Sequence, residues 1–435
     1  MTQKTSIRFR AFLVGALLLL VLGVEADAAE GLYHGPSSCA SGNCHGSPLP
    51  RDLYGVKQNE YLTWLRQDRH RKAYQVLFNA KSKKIARLLR LSSAPHQTQA
   101  CLACHALSVP RAAQAIPLDM EEGISCEGCH GPSGGWIAGH AEEGWTHRQS
   151  VAAGMVDLQA LPTRARTCLG CHLGDARREV DHELIAAGHP QLIFDLATYS
   201  LAMPAHWLPP VALDKQLREK TEGPRAWMVA QAVALRESMR NIQRRATSNR
   251  WPEFSDMDCT ACHHVLKESG WRQEREDLLP PGLPLWNPAR YTVLRHLIRV
   301  VAPNAPIDAQ IATLAGYVAR LNTPPEKVAA AAKDVAESID RLIPEIAAIP
   351  ITPAFAKKIV LAIIQDAPFF LQGDLHSAEQ AVMGINTLLA YLQRQGAAPP
   401  QVTPLVEALY QDLQDSDRFD RQGLAKHLEE LRALL

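Results

Sequence analysis

The 435-residue sequence predicts a mainly α-helical chain in three parts: an export signal over 1–28, a region rich in cysteine and histidine over 29–288, and a helical domain over 289–435. Three observations carry that prediction. All ten cysteines fall in five runs that each end in Cys-His, namely Cys39/Cys44/His45, Cys101/Cys104/His105, Cys126/Cys129/His130, Cys168/Cys171/His172 and Cys259/Cys262/His263. Where two residues separate the cysteines, both sulfurs and the following imidazole reach one face of a short helical turn. Beyond Cys262 there is no cysteine, and apolar side chains recur instead at helical spacing, as in Ile311, Leu314, Val318 and Leu321 or Val382, Ile385, Leu389 and Leu392. Between these two regimes the stretch Pro280–Pro288 breaks any regular pattern and marks the boundary.

At the N-terminus, Lys4, Arg8 and Arg10 precede an apolar run from about Ala11 to Val24, and Ala26-Asp27-Ala28 offers a small-x-small cleavage site, the three parts of a secretory signal. An uncleaved anchor is the alternative, although the run is short for a bilayer span. No cysteine follows it as a lipid attachment point, and no later segment is apolar enough to cross a membrane. The mature chain from about Ala29 is therefore expected to be soluble and exported, which in a bacterium means periplasmic.

In an exported chain, each run reads as a site where haem is bonded to two thiols and its iron is taken by the adjacent histidine. Zinc knuckles share the paired spacing, but zinc does not require a histidine directly after every second cysteine. With every cysteine used, no thiol is left for a disulfide framework or a free nucleophile. In the first run Ala40-Ser41-Gly42-Asn43 separates the cysteines, and the extra pair must bulge, which glycine and asparagine tolerate. The expected cofactor is haem c at five sites, the first through a Cys-x-x-x-x-Cys-His attachment.

Charge and composition agree with that reading. The chain has 46 basic and 45 acidic residues, and losing the signal removes three and two of them, leaving 43 of each. Five haems would add about −5 charges when oxidised and about −10 when reduced, so nucleic acid is not an expected partner. Aromatic residues, at 6%, are few for a core of this size, and porphyrin faces would supply the missing flat apolar surface.

Along the 29–288 region, Glu60–Tyr74 reads as helical and places His70 one and a half turns after Trp64. Lys81–Arg90 mixes Ile85, Leu88 and Leu89 with Lys81, Lys83, Lys84, Arg87 and Arg90, either a basic docking face or the solvated side of an amphipathic helix. Only Ala106–Ser125 separates the second and third runs, so their haems stay near each other. Asp181–Pro190 carries His182 and His189 two helical turns apart, able to point the same way. His206 follows, and Pro224–Thr247 predicts an amphipathic helix leading to the fifth run.

Three segments resemble the multihaem c-type cytochromes of the cytochrome c-554 type, a family related to the tetrahaem electron carrier of ammonia oxidisers and to octahaem hydroxylamine oxidoreductase. They are EGISCEGCHGP with His140 downstream, the Trp64, His70 and Ala73 pattern after the first run, and the stretch from CLGCH at Cys168 to AGHP at Pro190. The resemblance covers roughly Ser37–His264; the tetrahaem carrier lacks the fifth run and the long C-terminal helical region. It implies a loop-rich helical domain with haems in closely stacked parallel and perpendicular pairs. By the same resemblance His70 and His140 are distal ligands to haems other than those of their nearest runs.

Seventeen histidines less the five in the runs leave twelve for the far sides of the irons, against eight methionines, so bis-histidine ligation is the default. His70 and His140, close to tryptophans, lead the candidates. His182 and His189 come next, with bonding to propionates or backbone as the simpler role, then His96 and His206. His34, His147 and His264 follow, His264 pointing away from the haem whose proximal ligand it succeeds.

In the C-terminal region, Thr323-Pro324-Pro325-Glu326 predicts a capping box and Thr352-Pro353 a second capped start. This bundle is expected either to cover the haem region or to dock a redox partner, and His296 on its first helices is placed to reach a haem edge. Closely confined haems pass electrons without a chemical step, so the expected function is electron transfer, exchanging with other redox proteins or a quinol-linked membrane complex. The alternative is a haem-dependent oxidoreductase whose one five-coordinate iron binds a small nitrogen or sulfur species. A third reading is a structural subunit of a respiratory assembly.

Overall fold

The computed structural model describes residues 31–51, 55–208, 215–263, 283–371, 375–414 and 419–435. The expected export signal, His264 and the first part of the proline-rich break lie outside those residues. The expected mainly α class holds: 62% of the described residues are helical. The described residues contain no β-strand, only isolated bridges between Tyr33 and Gln114 and between Met257 and Trp286. Among them no helix is long and apolar enough to cross a membrane.

The chain divides into two compact units, one comprising residues up to 80 with 93–163, the other 81–92 with 164–435. The 288/289 boundary separates cysteine-bearing from cysteine-free sequence. The compact units divide elsewhere, with the fourth and fifth runs in the same unit as the C-terminal helices.

The first unit is made of short elements. Its α-helices Glu60–Gln67, Gln99–His105, Cys126–His130 and His147–Ala152 are eight residues or fewer, too short to persist on helix propensity alone. A small cluster of Tyr74, Leu77, Leu102 and Ala106 holds one part. Buried indoles hold others: Trp64 Nε1 donates to the Ile124 carbonyl at 3.0 Å and Trp136 Nε1 to that of Pro132 at 2.9 Å. The helix expected through Tyr74 stops at Gln67. Asp68 turns extended, with ψ 130°, and its carboxylate accepts the backbone N–H of His70 at 2.9 Å, which starts a separate 3-10 turn over Arg69–Lys72. An aspartate competing for backbone donors in this way is a common helix breaker.

The second unit has an apolar core centred on the helix Lys215–Ala246, in which Trp227, Met228, Val233, Leu235, Met239 and Ile242 are sealed from solvent. It packs chiefly on Pro325–Ala348 and also on Leu375–Arg394. A Cβ on Gly384 would come within 2.8 Å of the Trp227 ring, so glycine is what lets these two helices approach. Pro224, read as the helix start, lies inside it instead; the proline is buried, and packing there offsets the missing backbone hydrogen bond. Val382, Ile385, Leu389 and Leu392 are all buried as expected.

Four local expectations are corrected or refined. Ile311, Leu314 and Val318 are buried, but the helix ends at Val318 and leaves Leu321 exposed. Thr352 Oγ1 accepts the Phe355 N–H at 3.1 Å, as a cap should. Thr323 does not cap, because Pro324 occupies the N-cap position and carries no side-chain acceptor. The helix bearing His182 covers only His182–Ala186; Gly188, at φ 109°, turns the chain away, so His182 and His189 do not share two helical turns. The basic side chains of Ala80–Leu88 face solvent along with Leu88.

Candidate haem-binding sites

The first run shows how a longer spacing is accommodated. Cys39 ends the 3-10 turn Pro36–Cys39, the next residues loop out, and His45 N–H returns to the Cys39 carbonyl at 3.2 Å. The glycine this loop requires is Gly46, where a Cβ would collide with the Ala40 carbonyl, whereas nothing crowds Gly42. His45 Nδ1 meets Glu60 Oε2 at 3.1 Å, and that hydrogen bond raises the imidazole above its usual pKa. Burial alone would raise Glu60, but the bond from His45 overrides it and holds the carboxyl below its ordinary value. Anchoring Nδ1 leaves Nε2 as the nitrogen for iron.

The third run is the five-residue helix Cys126–His130, ended by Gly131 at φ 79°. Its entry is crossed by the chain around His70: Ile124 N–H donates to the His70 carbonyl at 3.0 Å, and a Cβ on Gly123 would strike that same oxygen. His70 Nδ1 is held by Asp68 Oδ1 at 2.9 Å. The thiols of Cys126 and Cys39 lie within hydrogen-bonding reach of each other, which lowers Cys39; that contact and burial together raise Cys126.

The other three runs take three local forms. The second closes the helix Gln99–His105, and His105 Nδ1 contacts the Ala73 carbonyl at 2.9 Å. The fourth closes Leu161–His172, where the His172 ring lies on Phe194 at 4.9 Å and Tyr199 at 5.4 Å. The fifth opens with the 3-10 turn Cys259–Ala261, and His263 N–H reaches the Cys259 carbonyl at 2.7 Å. All ten cysteines are free of disulfides. Burial raises Cys101, and Cys168 to about 11. Among the described residues no group of three or more His, Cys, Asp or Glu converges as a metal site.

Within the second and fourth runs the two cysteines have different neighbours. Cys101 packs against the cluster of Tyr74, Leu77, Leu102 and Ala106, whereas Cys104 stands half-buried on the last turn of Gln99–His105 with an interaction of its own. Cys171 is half-buried too, and its Sγ accepts from Arg178 Nη1 at 3.3 Å. That guanidinium lies over Gly170, where a Cβ would strike it, so the glycine between Cys168 and Cys171 is what admits the arginine. A thioether sulfur remains a weak acceptor, so the Arg178 contact is compatible with attachment at Cys171.

Two imidazole pairs test the fit of haem. The rings of His45 and His140 have centroids 6.1 Å apart and planes within 5°. Those of His182 and His263 are 6.2 Å apart at 28°. Both gaps are too wide for ring-on-ring contact, which needs about 3.5–4 Å. They match the roughly 6 Å between two axial imidazoles, each with a metal–nitrogen bond of about 2 Å and about 1 Å more to its ring centre. The exposed aromatics Phe254 and Tyr199 edge His182 and His172, and the exposed Phe78 stacks on His96, where a porphyrin face would cover them. The residues present therefore fit the group.

The remaining predicted histidines are placed as follows. His140 Nδ1 is fixed by the Ile137 carbonyl at 2.7 Å and His189 Nδ1 by that of Pro190 at 2.7 Å. His96 stacks on Phe78 at 4.3 Å, and His206 lies edge-on to Trp207 at 5.2 Å. His34 Nδ1 contacts Ser133 Oγ at 3.0 Å. His147 is turned to Asp157, with Nε2 at 3.0 Å from Oδ1. His296 is buried, with Nε2 3.2 Å from Asp366 Oδ2.

Sequence reading missed the acceptors that orient these imidazoles. Asp68 stands two residues from His70 and had a local signal; Glu60 is fifteen residues from His45 and had none. It also missed Glu127, buried inside the third run, whose oxygens accept N–H groups from His34, Gly35 and Ser133.

Comparison with curated proteins and with solved structures gives no match. Residues 39–131 match the family model described as cytochrome c554 and c-prime, a span shorter than the Ser37–His264 resemblance. That span holds the first three runs and His70, whose geometry is set out above. Over that span the chain is similar to the cytochrome c554 family, which supports reading it as a c-type cytochrome with covalently bound haem in electron transfer.

Proposed function

We propose that the protein is an exported, periplasmic multihaem cytochrome that carries electrons along five covalently bound haems between other redox proteins, or from a quinol-linked membrane complex. The observation that carries this reading is the pair of imidazole couples at 6.1 and 6.2 Å, the span of two ligands on one iron. In it Cys39 and Cys44 would hold the first haem, with His45 and His140 supplying the imidazoles for its iron. Cys259 and Cys262 hold the fifth, with His263 and His182. Cys101 and Cys104 with His105, Cys126 and Cys129 with His130, and Cys168 and Cys171 with His172 hold the other three, with His70, His96, His189 and His206 as the candidate distal ligands. Bound haem supplies a one-electron couple at each iron. The chain's own residues fix five of these imidazoles by Nδ1, His45 through Glu60, His70 through Asp68, and His105, His140 and His189 through the carbonyls of Ala73, Ile137 and Pro190, so that little rearrangement accompanies a change of charge there.

Electron paramagnetic resonance of the oxidised protein tests this: only low-spin haem is expected. In His140→Ala one haem should turn high-spin while the number of attached haems is unchanged. An unaltered spectrum would remove His140 as a ligand. A high-spin component near one-fifth of the iron in the unmodified protein would favour catalysis on a small nitrogen or sulfur species instead.

A further inference from the structure

We infer that Glu127 is a positioning residue that locks the first and third haem sites into one pair and sets the potentials of both. The inference rests on the multihaem reading above but concerns a residue that binds no haem atom. Glu127 sits between the two cysteines of the third run, and only 3% of it is exposed. Its Oε1 accepts His34 N–H at 3.0 Å and Ser133 N–H at 2.9 Å; its Oε2 accepts Gly35 N–H at 2.7 Å and shares that of His34 at 3.1 Å. One carboxylate thus bonds three backbone donors, two of them 92 and 93 residues away on the segment that leads directly into Cys39.

The surroundings make this a clamp between two sites. His34 Nδ1 meets Ser133 Oγ at 3.0 Å, Ser133 is sealed from solvent, and Gly134 N–H reaches the Leu32 carbonyl at 2.9 Å. The Cys39 and Cys126 thiols are in hydrogen-bonding reach of each other. His140, downstream of the third run, faces His45 of the first. Gly35 holds φ 76°, the left-handed turn that aims its N–H at the carboxylate, and a Cβ there would crowd Leu118 at 3.1 Å. Hydrogen bonds to a carboxylate are the stronger kind, and a charge removed from water at a site of low dielectric is less screened from iron nearby. A negative charge opposes uptake of an electron, so its loss raises the potential of the haems beside it.

The test is Glu127→Gln in the haem-loaded full chain. Glutamine keeps the size, loses the charge, and replaces one of the two accepting oxygens by an NH2 that cannot accept a backbone N–H. All five haems should remain attached by intact mass. In potentiometric titration two of five components should move to higher potential while three stay in place, and the paramagnetic resonance of that pair should change. Glu127→Asp, which keeps the charge but is shorter, should move the same two components less. Unmoved potentials in Glu127→Gln, or an equal shift of all five, would overturn the inference. Should Glu127→Gln not accumulate as folded protein, hydrogen exchange on the unmodified protein decides. The His34, Gly35 and Ser133 amides are expected to be the slowest of their loops, and exchange at the rate of exposed neighbours would overturn the clamp. A chain found to carry no haem would instead overturn the multihaem reading, leaving the exchange result to judge the clamp by itself.

Discussion

Residues 93–163 and 289–435 are held together by different means. In the first, Leu102, Ala106 and Trp136 are among few buried apolar side chains, and the chain is fixed by single directed bonds, such as those to Glu127 and from Trp136. In the second, helix after helix presents a sealed apolar face, from Leu294 and Leu297 through Val335 and Ile339 to Leu428 and Leu431. Area removed from water stabilises the second by itself, at about 25 cal/mol per Å2. The first lacks that area in its own side chains, which is what a segment built around large covalent cofactors should look like. On the proposed reading the cofactor is part of its core.

The largest effect should come from breaking that dependence. Replacing Cys126 and Cys129 together by alanine should strip one haem and expose the amides of 93–163 to rapid hydrogen exchange, while 289–435 keeps its protection. Equal protection in both would mean that haem is not a core element. The converse cut is Trp227→Ala, in the helix that centres the second unit. Loss of a sealed aromatic side chain should cost about 3–5 kcal/mol in denaturant unfolding, with the haem count and spectrum unchanged.

A smaller effect separates the regions by pH. Burial first, then the charges of Arg295 and Arg299, lower His296 from 6.5 to about 4. The folded value lies below the unfolded one, so this histidine contributes stability that is complete above pH 6.5 and lost as pH falls through 4. The depression corresponds to at most about 3 kcal/mol. Asp366 pulls the other way, but Arg295 shares its carboxylate, and the net direction stays downward. His296→Gln should flatten the slope of stability between those two pH values without altering any haem signal.

The same contrast explains what the sequence disclosed. Periodic apolar positions are a local signal, so the buried stripe of Val382, Ile385, Leu389 and Leu392 and the Thr352 cap could be read directly. The five runs were equally local, since all the groups for one attachment lie within seven residues. What escaped was set by distant partners. The Glu60 contact that orients His45 and the Glu127 bonds to His34 and Gly35 leave no periodic trace. Within the runs, the spacing showed neither the Arg178 contact at Cys171 nor the different surroundings of Cys101 and Cys104, because each depends on side chains outside the motif. Helix breaks at Asp68 and Gly188 were hidden by good apolar spacing around them, and one backbone bond or one left-handed residue decided each. Pro224 failed as a helix start because burial within the second unit outweighs the local penalty.

The central claim is that haem is covalently joined to the cysteine pairs and completes the fold around them. Intact mass of the purified, exported protein under denaturing conditions measures this directly. The account predicts the mass of the processed polypeptide plus five haems. A mass equal to the polypeptide alone would contradict it.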